Sequence, residues 1–413
     1  MSQSTSDASP VGAMLTGFLR ADGRKGIRNT IVVAYLVECA HHVSREVVYP
    51  FRERSVHLIG FGGCYPNSYS LTMMKQLCTH PNVGAVLLVS LGCEGFDRGT
   101  LHAAVAASGR PVHTLVIQQE GGTRRTIAEG QAWVERTRAA LDATPRVPMA
   151  VSELIVGTVC GGSDATSGIT ANPAIGRAFD LLVDHDATCI FEETGELIGC
   201  EHIMAGRAAT PALGDALIAT VEKAARYYTV LGHGSFAPGN AEGGLTTQEE
   251  KSMGAYSKSG GATISGIIKP GDVPDTSGLF LLDVVPDGDV RFGFPNINDN
   301  AEIAELIACG SHIVLFSTGR GSVVGSAISP VIKVCANPET YRRMTDDMDV
   351  DAGRILEARG TLDEVGQEIF TQVLDVARGT ATASEALAHQ EFVLTYKVFE
   401  PVGPSCHPHT QGA

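Results

Sequence analysis

Short apolar runs and stretches of helical periodicity alternate along the first third of the chain. The runs are rich in β-branched residues and predict strands, whereas apolar residues that recur every three or four positions predict amphipathic helices. The predicted strands are residues 30–40, 55–64, 85–94 and 111–119, and the predicted helices are residues 70–80, 99–109 and 123–141. This alternation indicates a parallel sheet with helices on both faces, a Rossmann-like α/β domain.

A second alternating block follows residues 142–152, which hold two prolines without a helical period and predict a linker. Its predicted strands are residues 153–160, 187–193, 278–286 and 312–322, and its predicted helices are residues 174–186, 210–232, 301–310 and 361–379. Residues 233–261 are polar and rich in glycine and predict a long functional loop. We therefore expect a loose tail over residues 1–14, a Rossmann-like domain over 15–147, a larger α/β domain over 148–400 and a second tail over 401–413.

Composition and charge narrow the class of partner. The chain has 413 residues, of which 44% are apolar, so it can bury large cores. Its formal net charge of −15 argues against nucleic acid as a partner, because phosphate binding needs a basic surface. A few local arginines can still hold a small carboxylate substrate. Because the sequence shows neither a membrane-spanning apolar run nor a signal peptide, we expect a cytoplasmic protein without a membrane partner.

Three of the ten cysteines share one setting. Cys64, Cys93 and Cys160 each follow an apolar run and adjoin a glycine turn. Ligands of open parallel sheets bind outside the carboxyl ends of the strands, so these thiols are candidates for convergence there. Three thiolates suit an iron–sulfur cluster or a soft metal ion. The alternative is that they are small buried residues at strand ends, the commonest setting of a free cysteine.

Several long motifs then carry a resemblance to a known family. They are GFLRADGRKGIRN (17–29), HPNVGAVLLVSLGCE (80–94), CGGSDATSGITANPAIGRAFDLLV (160–183), EETGELIGCEHIM (192–204), PGNAEGGLTTQEEKSMGA (238–255) and TGRGSVVGSAISPVIKVCANPETYRRMTDDMDVDAG (318–353). In this order they resemble the altronate/galactarate dehydratase family over residues 17–399. The resemblance implies that residues 15–147 correspond to the second domain of that family and residues 148–400 to its C-terminal domain.

The resemblance implies an iron-dependent lyase that removes water from a sugar acid and gives a 2-keto-3-deoxy acid. Two alternatives stay open: a carbon–sulfur lyase acting on (2R)-sulfolactate, and a non-catalytic sugar-acid-binding protein. Full-length relatives begin with a small domain of the antifreeze-like (SAF) kind, which this sequence lacks, so a separate SAF-domain subunit and an oligomeric enzyme are expected. The pattern around Cys64 and Cys93 favours the dehydratase branch over the sulfo-lyase branch.

Acid–base and metal roles are assigned within these motifs. Cys64, Cys93 and Cys160 are the predicted ligands of iron, either as an iron–sulfur cluster or as mononuclear Fe²⁺ with His and carboxylate ligands, and Mn²⁺ is the alternative metal. Glu201 and His202 are the predicted acid–base or metal pair. Within or beside the glycine-rich stretch, Lys251 and His233 are candidate bases.

Two further groups are predicted to contact the substrate. Ser163 and Asp164 follow Cys160 and are expected to bind substrate hydroxyls, with Asp164 as a catalytic candidate; the alternative is that they cap the following helix or hold its turn. The segment STGRGS follows a strand, and Thr318, Gly319, Arg320, Gly321 and Ser322 are predicted to form an anion nest for a carboxylate. An ordinary glycine turn is the alternative there.

Overall fold

Strands and helices alternate along the chain in the computed structural model, which describes residues 14–51, 55–232, 238–287 and 298–397. Its strands are β1 (Leu15–Leu19), β2 (Lys25–Gly26), β3 (Thr30–Tyr35), β4 (Val56–Gly60), β5 (Val83–Ser90), β6 (Val112–Val116), β7 (Val147–Met149), β8 (Ile155–Cys160), β9 (Thr188–Phe191), β10 (Ile264–Ile268), β11 (Gly278–Leu282), β12 (Ile313–Thr318), β13 (Val331–Cys335) and β14 (Val350–Asp351). Of the predicted tails only Met14 is described, and His233 also lies outside the described residues.

Helices connect most of these strands, as parallel strands require. They are α1 (His41–Val48), α2 (Ser68–Cys78), α3 (Arg98–Ala107), α4 (Ile117–Glu120), α5 (Thr123–Asp142), α6 (Ala171–Asp184), α7 (Glu201–Ala205), α8 (Pro211–Leu231), α9 (Pro238–Glu242), α10 (Gln248–Ser257), α11 (Asp299–Ala308), α12 (Pro338–Arg343), α13 (Leu362–Arg378) and α14 (Ala383–Ala386). None of the helices in the described part is both long and apolar enough to cross a membrane.

The first sheet is parallel, with strand order β4-β3-β5-β6. Every residue of β5 is buried, because helices and the second domain cover both faces of the sheet. On one face, Val43 and Val47 of α1 and Val134 of α5 pack in the same core cluster as Val33. The predicted Rossmann-like α/β class is confirmed for this domain.

The second sheet has the strand order β10-β11-β9-β8-β12-β13-β14, and all of its described pairs are parallel. Its first strand along the chain, β8, lies in the middle. The chain builds outward through β9 on one side and later through β12 on the other. The carboxyl ends of β8 and β12 therefore flank a topological switch point, where ligands of open α/β sheets bind.

The predicted linker contains structure. Within it, β7 pairs antiparallel with β1, and β1 also pairs with β2, so a small three-stranded sheet joins the start of the chain to the entrance of the second domain. Pro148 lies in β7, opposite Thr16. The two prolines suggested a structureless segment, but β7 is an edge strand, where a missing N–H is tolerated.

The glycine-rich stretch also departs from the prediction, since it contains the helices α9 and α10. The side chain of Thr247 accepts a hydrogen bond from the backbone N–H of Glu250 and so begins α10. The sequence-based prediction gave the glycines more weight than this capping signal. Helix α10 packs near α6 and buries Lys251. A catalytic candidate thus stands on a helix, which holds its side chain more rigidly than a loop would.

The two domains share apolar packing and buried polar contacts. A single core cluster includes Met73 of α2 and Leu306 of α11. Beside it, Tyr69 of α2 donates a hydrogen bond to Glu305 of α11 over 2.6 Å, and Lys397 pairs with Glu305 at 2.6 Å. The side chains of Lys397 and Glu305 are 2% and 0% exposed, so this pair has almost no solvent to screen it.

We expect Lys397→Met to lower the free energy of unfolding by about 3–5 kcal/mol, because it leaves Glu305 as an unpaired charge in the interior. Urea unfolding followed by circular dichroism measures the change. The control Arg136→Met removes an exposed pair with Glu129 and should cost less than about 1 kcal/mol. Adding Glu305→Gln should restore part of the loss. Equal, small effects of Lys397→Met and Arg136→Met would contradict the assigned role of the buried pair.

Candidate active site

The carboxyl ends of β8 and β12 are joined by backbone hydrogen bonds. The N–H of Gly161 donates to the carbonyl of Ser317 over 3.0 Å, and the N–H of Arg320 donates to the carbonyl of Gly162 over 2.8 Å. Gly162 has a φ of +61°, a conformation in which a Cβ is disfavoured. The turn after β8 is thus fixed against the turn after β12, and both open at the switch point.

Cys160, the last residue of β8, is the centre of a buried polar cluster. Lys251 of α10 donates to the Cys160 Sγ over 3.2 Å and to the Ser163 Oγ over 3.2 Å. The Ser163 hydroxyl in turn donates to the same sulfur over 3.3 Å. The Lys251 Nζ also pairs with the Glu196 Oε2 at 2.5 Å. Two acidic groups and one ammonium thus meet beside a hydroxyl, and the Lys251 side chain is only 4% exposed.

The protonation states follow from burial and these neighbours. Burial opposes ionisation of the Cys160 thiol, but the ammonium groups of Lys251 and Lys258 outweigh it and lower the thiol pKa to about 6. Burial raises the pKa of the Glu196 carboxyl to about 8 despite the attraction of Lys251. Burial disfavours the Lys251 ammonium, but Cys160 and Glu196 raise its pKa above the ordinary value. At neutral pH the cluster therefore holds a thiolate, an ammonium and a carboxyl group that retains a proton.

Glu193 holds the turn from the other side. It follows β9, its carboxylate accepts the N–H of Cys160 over 3.0 Å, and its second oxygen pairs with the Lys258 ammonium. Its φ of +76° is uncommon for a residue with a side chain. Such conformations cluster at functional sites, where the surrounding contacts maintain them.

More carboxyl groups lie behind this cluster. Burial, followed by the neighbouring Glu305, raises the pKa of Glu192, and burial, followed by Glu192, raises the pKa of Glu302. Asp299 lies so close to Gly161 that a Cβ there would stand 2.0 Å from its Oδ2. Burial, followed by Glu196, raises the Asp299 pKa to about 6. The region is rich in acidic groups that are held partly protonated, an environment that favours the arrival of a cation.

Asp164 is anchored by the protein itself. Its carboxylate accepts from the N–H of Thr166 over 2.9 Å and from the amide of Asn337 over 3.1 Å. It also fills the space beside Gly319, where a Cβ would stand 2.1 Å from the Asp164 Oδ1. These contacts favour the alternative that Asp164 holds the turn, although its catalytic role stays a prediction. Ser163, by contrast, faces Cys160 and Lys251 as described above.

The predicted anion nest differs from the structure. Thr318 is buried, and its hydroxyl accepts the N–H of Gly321 over 3.1 Å, while the N–H of Gly319 donates to Gly162 over 3.2 Å. These N–H groups hold the two turns together, so they are not available to bind a carboxylate as predicted. The Arg320 side chain is 42% exposed and donates to the carbonyl of Gly239 in α9. Ser322 accepts the N–H of Val324 over 3.2 Å. Of the predicted anion nest, the Arg320 side chain is thus the group that can still bind an anion.

Glu201 and His202 lie at the start of α7. The Glu201 carboxylate accepts the N–H of Gly199 over 2.7 Å and so fixes its own turn, and His202 is exposed. Neither residue belongs to the group of potential metal ligands found among the described residues. Their acid–base role stays a prediction that the described contacts do not support.

The sulfurs of the three predicted cysteine ligands do not all lie within 4.8 Å of one another, so the three do not surround one mononuclear ion. Cys64 and Cys93 are exposed on loops of the first domain, whereas Cys160 is buried in the second. Among the described His, Cys, Asp and Glu residues, the group whose ligand atoms all lie within 4.8 Å of one another is Cys160, Glu193 and Glu196. A cluster distributes its thiolates over several irons and so needs a wider spacing, and the three-cysteine cluster stays a prediction.

The donor set of Cys160, Glu193 and Glu196 fits a divalent ion better than an iron–sulfur cluster. One thiolate and two carboxylates match the ligand preferences of Fe²⁺ or Mn²⁺. Both carboxyl oxygens of Glu192 are buried and have no hydrogen-bond partner within the described part of the structure. Lys251 lies between Cys160 and Glu196, so an ion would compete with an ammonium group for the same ligands.

Sequence reasoning missed Glu196, Lys258 and Asp299. Asp299, Glu302 and Glu305 recur every third position on α11, where they lie on one face of the helix. Three carboxyl groups on one face of a largely apolar helix could have indicated a buried acidic site. Glu196 lies within the EETGELIGCEHIM motif, three residues after Glu193. The acid–base role was predicted for Glu201 and His202 instead, because histidine is the commoner acid–base residue.

Two family models and several known proteins match this chain. Residues 151–399 match the family described as D-galactarate/Altronate dehydratase, C-terminal, and residues 17–142 match D-galactarate dehydratase/Altronate hydrolase, second domain. The (2R)-sulfolactate sulfo-lyase subunit beta of Chromohalobacter salexigens is 34% identical and covers 93% of this chain and 97% of its own length. The altronate dehydratase of Escherichia coli is 28% identical over 91% of this chain and 76% of its own length.

A third relative, the galactarate dehydratase (L-threo-forming) of Escherichia coli, is 33% identical over 74% of this chain and 58% of its own length. All of these relatives are named as lyases or dehydratases, so the prediction of an enzyme of the lyase class is confirmed. The chain belongs to the D-galactarate/altronate dehydratase family. The expected order of similarity within that family was wrong, since the sulfo-lyase subunit is more similar than the altronate dehydratase, at 34% against 28% identity.

In metal-free protein we expect the Cys160 thiol to titrate near pH 6, as the lowered pKa of about 6 requires. The ultraviolet absorbance of the thiolate, taken as the difference between the parent and Cys160→Ala, should rise through that pH. In Lys251→Met the cation is lost while burial remains, so the midpoint should move above the ordinary thiol range of about 8.5. Lys75→Met, which lies in the first domain, should leave it unchanged. A parent midpoint near 8.5 would contradict the assigned electrostatics.

Proposed function

We propose that the protein is a hydro-lyase that removes water from a sugar acid, an aldonate or aldarate, and gives a 2-keto-3-deoxy acid. The observation that carries the proposal is the cluster of Cys160, Lys251 and Glu196 at the switch point. It places a proton acceptor, the Cys160 thiolate, 3.2 Å from a proton donor, the Lys251 ammonium, within one buried site. Elimination next to a carboxylate needs such a pair.

The reaction proceeds by two proton movements. A base removes the proton on C2, and the electrons of that bond form the C2–C3 double bond. The C3 hydroxyl leaves with its bonding electrons and takes a proton, so that one water molecule is released. The resulting enol then becomes the 2-keto acid without any net oxidation. The Cys160 thiolate is the proton acceptor of the site, because the Glu196 carboxyl group retains its proton at neutral pH.

Lys251 acts as the proton donor in this scheme. Its raised pKa keeps it as an ammonium at neutral pH, so it is unsuited to the role of base that its position in the sequence suggested. An ammonium beside the leaving hydroxyl can both neutralise and protonate it. Ser163 lies 3.2 Å from the Lys251 Nζ and is placed to orient that group or a substrate hydroxyl.

A divalent metal ion, Fe²⁺ or Mn²⁺, would be held by Cys160, Glu193 and Glu196. When bound, such an ion would supply Lewis-acid polarisation of the substrate oxygens. Lys251 would then lose Cys160 and Glu196 as partners and remain as the proton-transferring side chain beside the ligands. A bound cation would also lower the pKa values of the carboxyl groups behind the cluster, Glu192 and Glu302 among them, and so favour their ionised forms.

A carbon–sulfur lyase acting on (2R)-sulfolactate is the second candidate. It is favoured by the relative named as a sulfo-lyase subunit beta, which is 34% identical and covered over 97% of its length. The two reactions share the loss of the C2 proton and the formation of an enol, and they differ in the group that leaves from C3. The site geometry serves both, because a leaving sulfite, like a leaving hydroxyl, develops negative charge beside Lys251.

We also propose a separate small subunit of the SAF type. The relative named subunit beta supports an enzyme with more than one kind of chain. Such a subunit would exclude water from the switch point, which strengthens the charge interactions there. Two large apolar side chains, Tyr65 and Val323, are 81% and 54% exposed on strand-end loops of the two domains and provide contact surface for it.

A substrate panel tests the proposed reaction. Aldonates, aldarates and (2R)-sulfolactate are incubated anaerobically with the protein and Fe²⁺ or Mn²⁺, with and without the small subunit, and 2-keto acid and sulfite are measured. We expect keto-acid release from a sugar acid without sulfite, at a much higher rate when the small subunit is present. Lys251→Met and Glu196→Gln should each lose at least roughly a hundredfold in kcat, the usual contribution of a general acid or base.

The results separate the candidates. Sulfite release with pyruvate from sulfolactate alone would replace the hydro-lyase by the sulfo-lyase. Binding of sugar acids by calorimetry without turnover in any combination would indicate a binding protein. Full turnover by the chain alone would remove the need for the small subunit. The control Lys75→Met lies outside the site and should retain the rate of the parent.

Arg320→Ala should raise KM for the carboxylate substrate by roughly tenfold to a hundredfold, because a hydrogen bond to a charged group contributes about 1.5–3 kcal/mol. Steady-state kinetics on the substrate found in the panel measure this, and kcat should change less than KM. Arg342→Ala removes an exposed arginine that pairs with Glu357 and is the control. If both variants have the KM of the parent, Arg320 does not bind the substrate.

A further inference from the structure

The loop between β12 and β13, residues 319–330, contains a backbone conformation that is rare for its residue type. Ile328 has a φ of +76°, and the N–H of Ser329 donates to the carbonyl of Ala327 over 3.0 Å. Such a hydrogen bond around a central φ of about +75° is the strained form of the γ-turn. A β-branched residue in this region is an outlier, and it persists only where surrounding contacts maintain it.

The first domain supplies the contact that holds this turn. The N–H of Ile328 donates to the Nδ1 of His57 over 2.9 Å, and His57 belongs to β4. The Ile328 side chain is buried in the same core cluster as Phe61 and Phe96, which also belong to the first domain. The strained residue thus lies against the neighbouring domain and is hydrogen-bonded to it.

The His57 ring is in the right protonation state to accept this hydrogen bond. Burial lowers the pKa of the imidazole to about 4, while the Glu385 carboxylate opposes this change and the Arg28 guanidinium adds to it. The ring is therefore neutral near pH 7. Because its Nδ1 accepts the N–H of Ile328, its proton is on Nε2.

The same loop carries Arg320 near its start and is held along its length. The N–H of Arg320 is bound to the carbonyl of Gly162, as described above. In the middle of the loop, the N–H of Gly325 donates to the Glu391 Oε2 over 2.9 Å, and a Cβ on Gly325 would stand 2.6 Å from the Cβ of His389. The second domain thus holds the start and the middle of the loop, and the first domain holds its end.

From this arrangement we infer that His57 is a positioning residue, which holds the loop of residues 319–330 in its strained form and through it keeps Arg320 at the switch point. Without the acceptor, Ile328 can leave the γ-turn for an ordinary backbone conformation, and the shift passes along the loop toward Arg320. The effect on substrate binding rests on the proposed function, in which Arg320 binds the carboxylate. The effect on the loop itself does not.

Hydrogen–deuterium exchange followed by mass spectrometry tests the contact without a substrate. His57→Leu removes the acceptor, whereas His57→Asn keeps one, because the Asn Oδ1 is as many bonds from the backbone as the histidine Nδ1. We expect the Ile328 amide to exchange about tenfold faster in His57→Leu, the size of one net hydrogen bond, and at the parent rate in His57→Asn. The control is His102→Leu, since the Nδ1 of His102 contacts Thr114 within the first domain.

Steady-state kinetics test the consequence for the site. With the substrate found in the panel, His57→Leu should raise KM about fivefold to tenfold and change kcat less, and His57→Asn should have the KM of the parent. Added to Arg320→Ala, His57→Leu should raise KM no further, because the loop acts through that side chain. A substitution that only destabilised the fold would lower the active fraction and hence kcat, and would leave KM unchanged.

The outcomes separate this inference from the proposed function. Exchange of the Ile328 amide at the parent rate in His57→Leu, or equally fast exchange in His57→Asn and His57→Leu, would overturn it whatever the substrate panel finds. Equal increases of KM by His57→Leu in the parent and in Arg320→Ala would overturn it as well. If circular dichroism shows that His57→Leu does not fold, His57→Gln takes its place, since it keeps a polar side chain but moves the acceptor by one bond.

Discussion

Burial of charge at the switch point is the constraint on which the rest of the structure depends. Glu192, Glu193, Glu196, Glu302 and Glu305 are buried or nearly so, and the ammonium groups that face them are Lys251, Lys258 and Lys397. An ion removed from water costs several kcal/mol unless a partner replaces the solvent. Lys251 and Lys258 lie in or directly after α10, whereas Lys397 lies close to the end of the described chain, so the site can exist only when distant parts of the fold have assembled.

The three lysines show how distant segments become one site. Lys251 is carried by α10 in the glycine-rich stretch, Lys258 follows the same helix, and Lys397 lies close to the end of the described chain. Lys397 reaches Glu305, whose charge raises the pKa of Glu192 near the catalytic cluster. The contact between the domains and the electrostatics of the site are thus the same set of interactions. A substitution at the domain contact should therefore change the pKa of Glu192 at the switch point.

Local sequence patterns predicted the helices and strands better than the contacts between them. Most of the predicted strands and helices are present, because apolar periodicity is a local property that burial in a parallel sheet preserves. The prolines of the linker and the glycines of residues 233–261 were given too much weight, and β7 and α10 form despite them. Lys251 was predicted as a catalytic residue and lies in the buried cluster, but its charge state depends on its burial beside Cys160 and Glu196 and was beyond a sequence argument.

The thiols make the same point about convergence. Cys64, Cys93 and Cys160 have the same local signature, yet two end strands of the first sheet and one ends a strand of the second. Sequence spacing cannot tell which strand ends share an edge, because that depends on strand order. Cys64 and Cys93 are exposed to solvent, whereas Cys160 is buried beside lysines that lower its thiol pKa to about 6. Those lysines belong to α10 and to the position directly after it, so the charge state of the thiol depends on a contact that the sequence around Cys160 does not indicate.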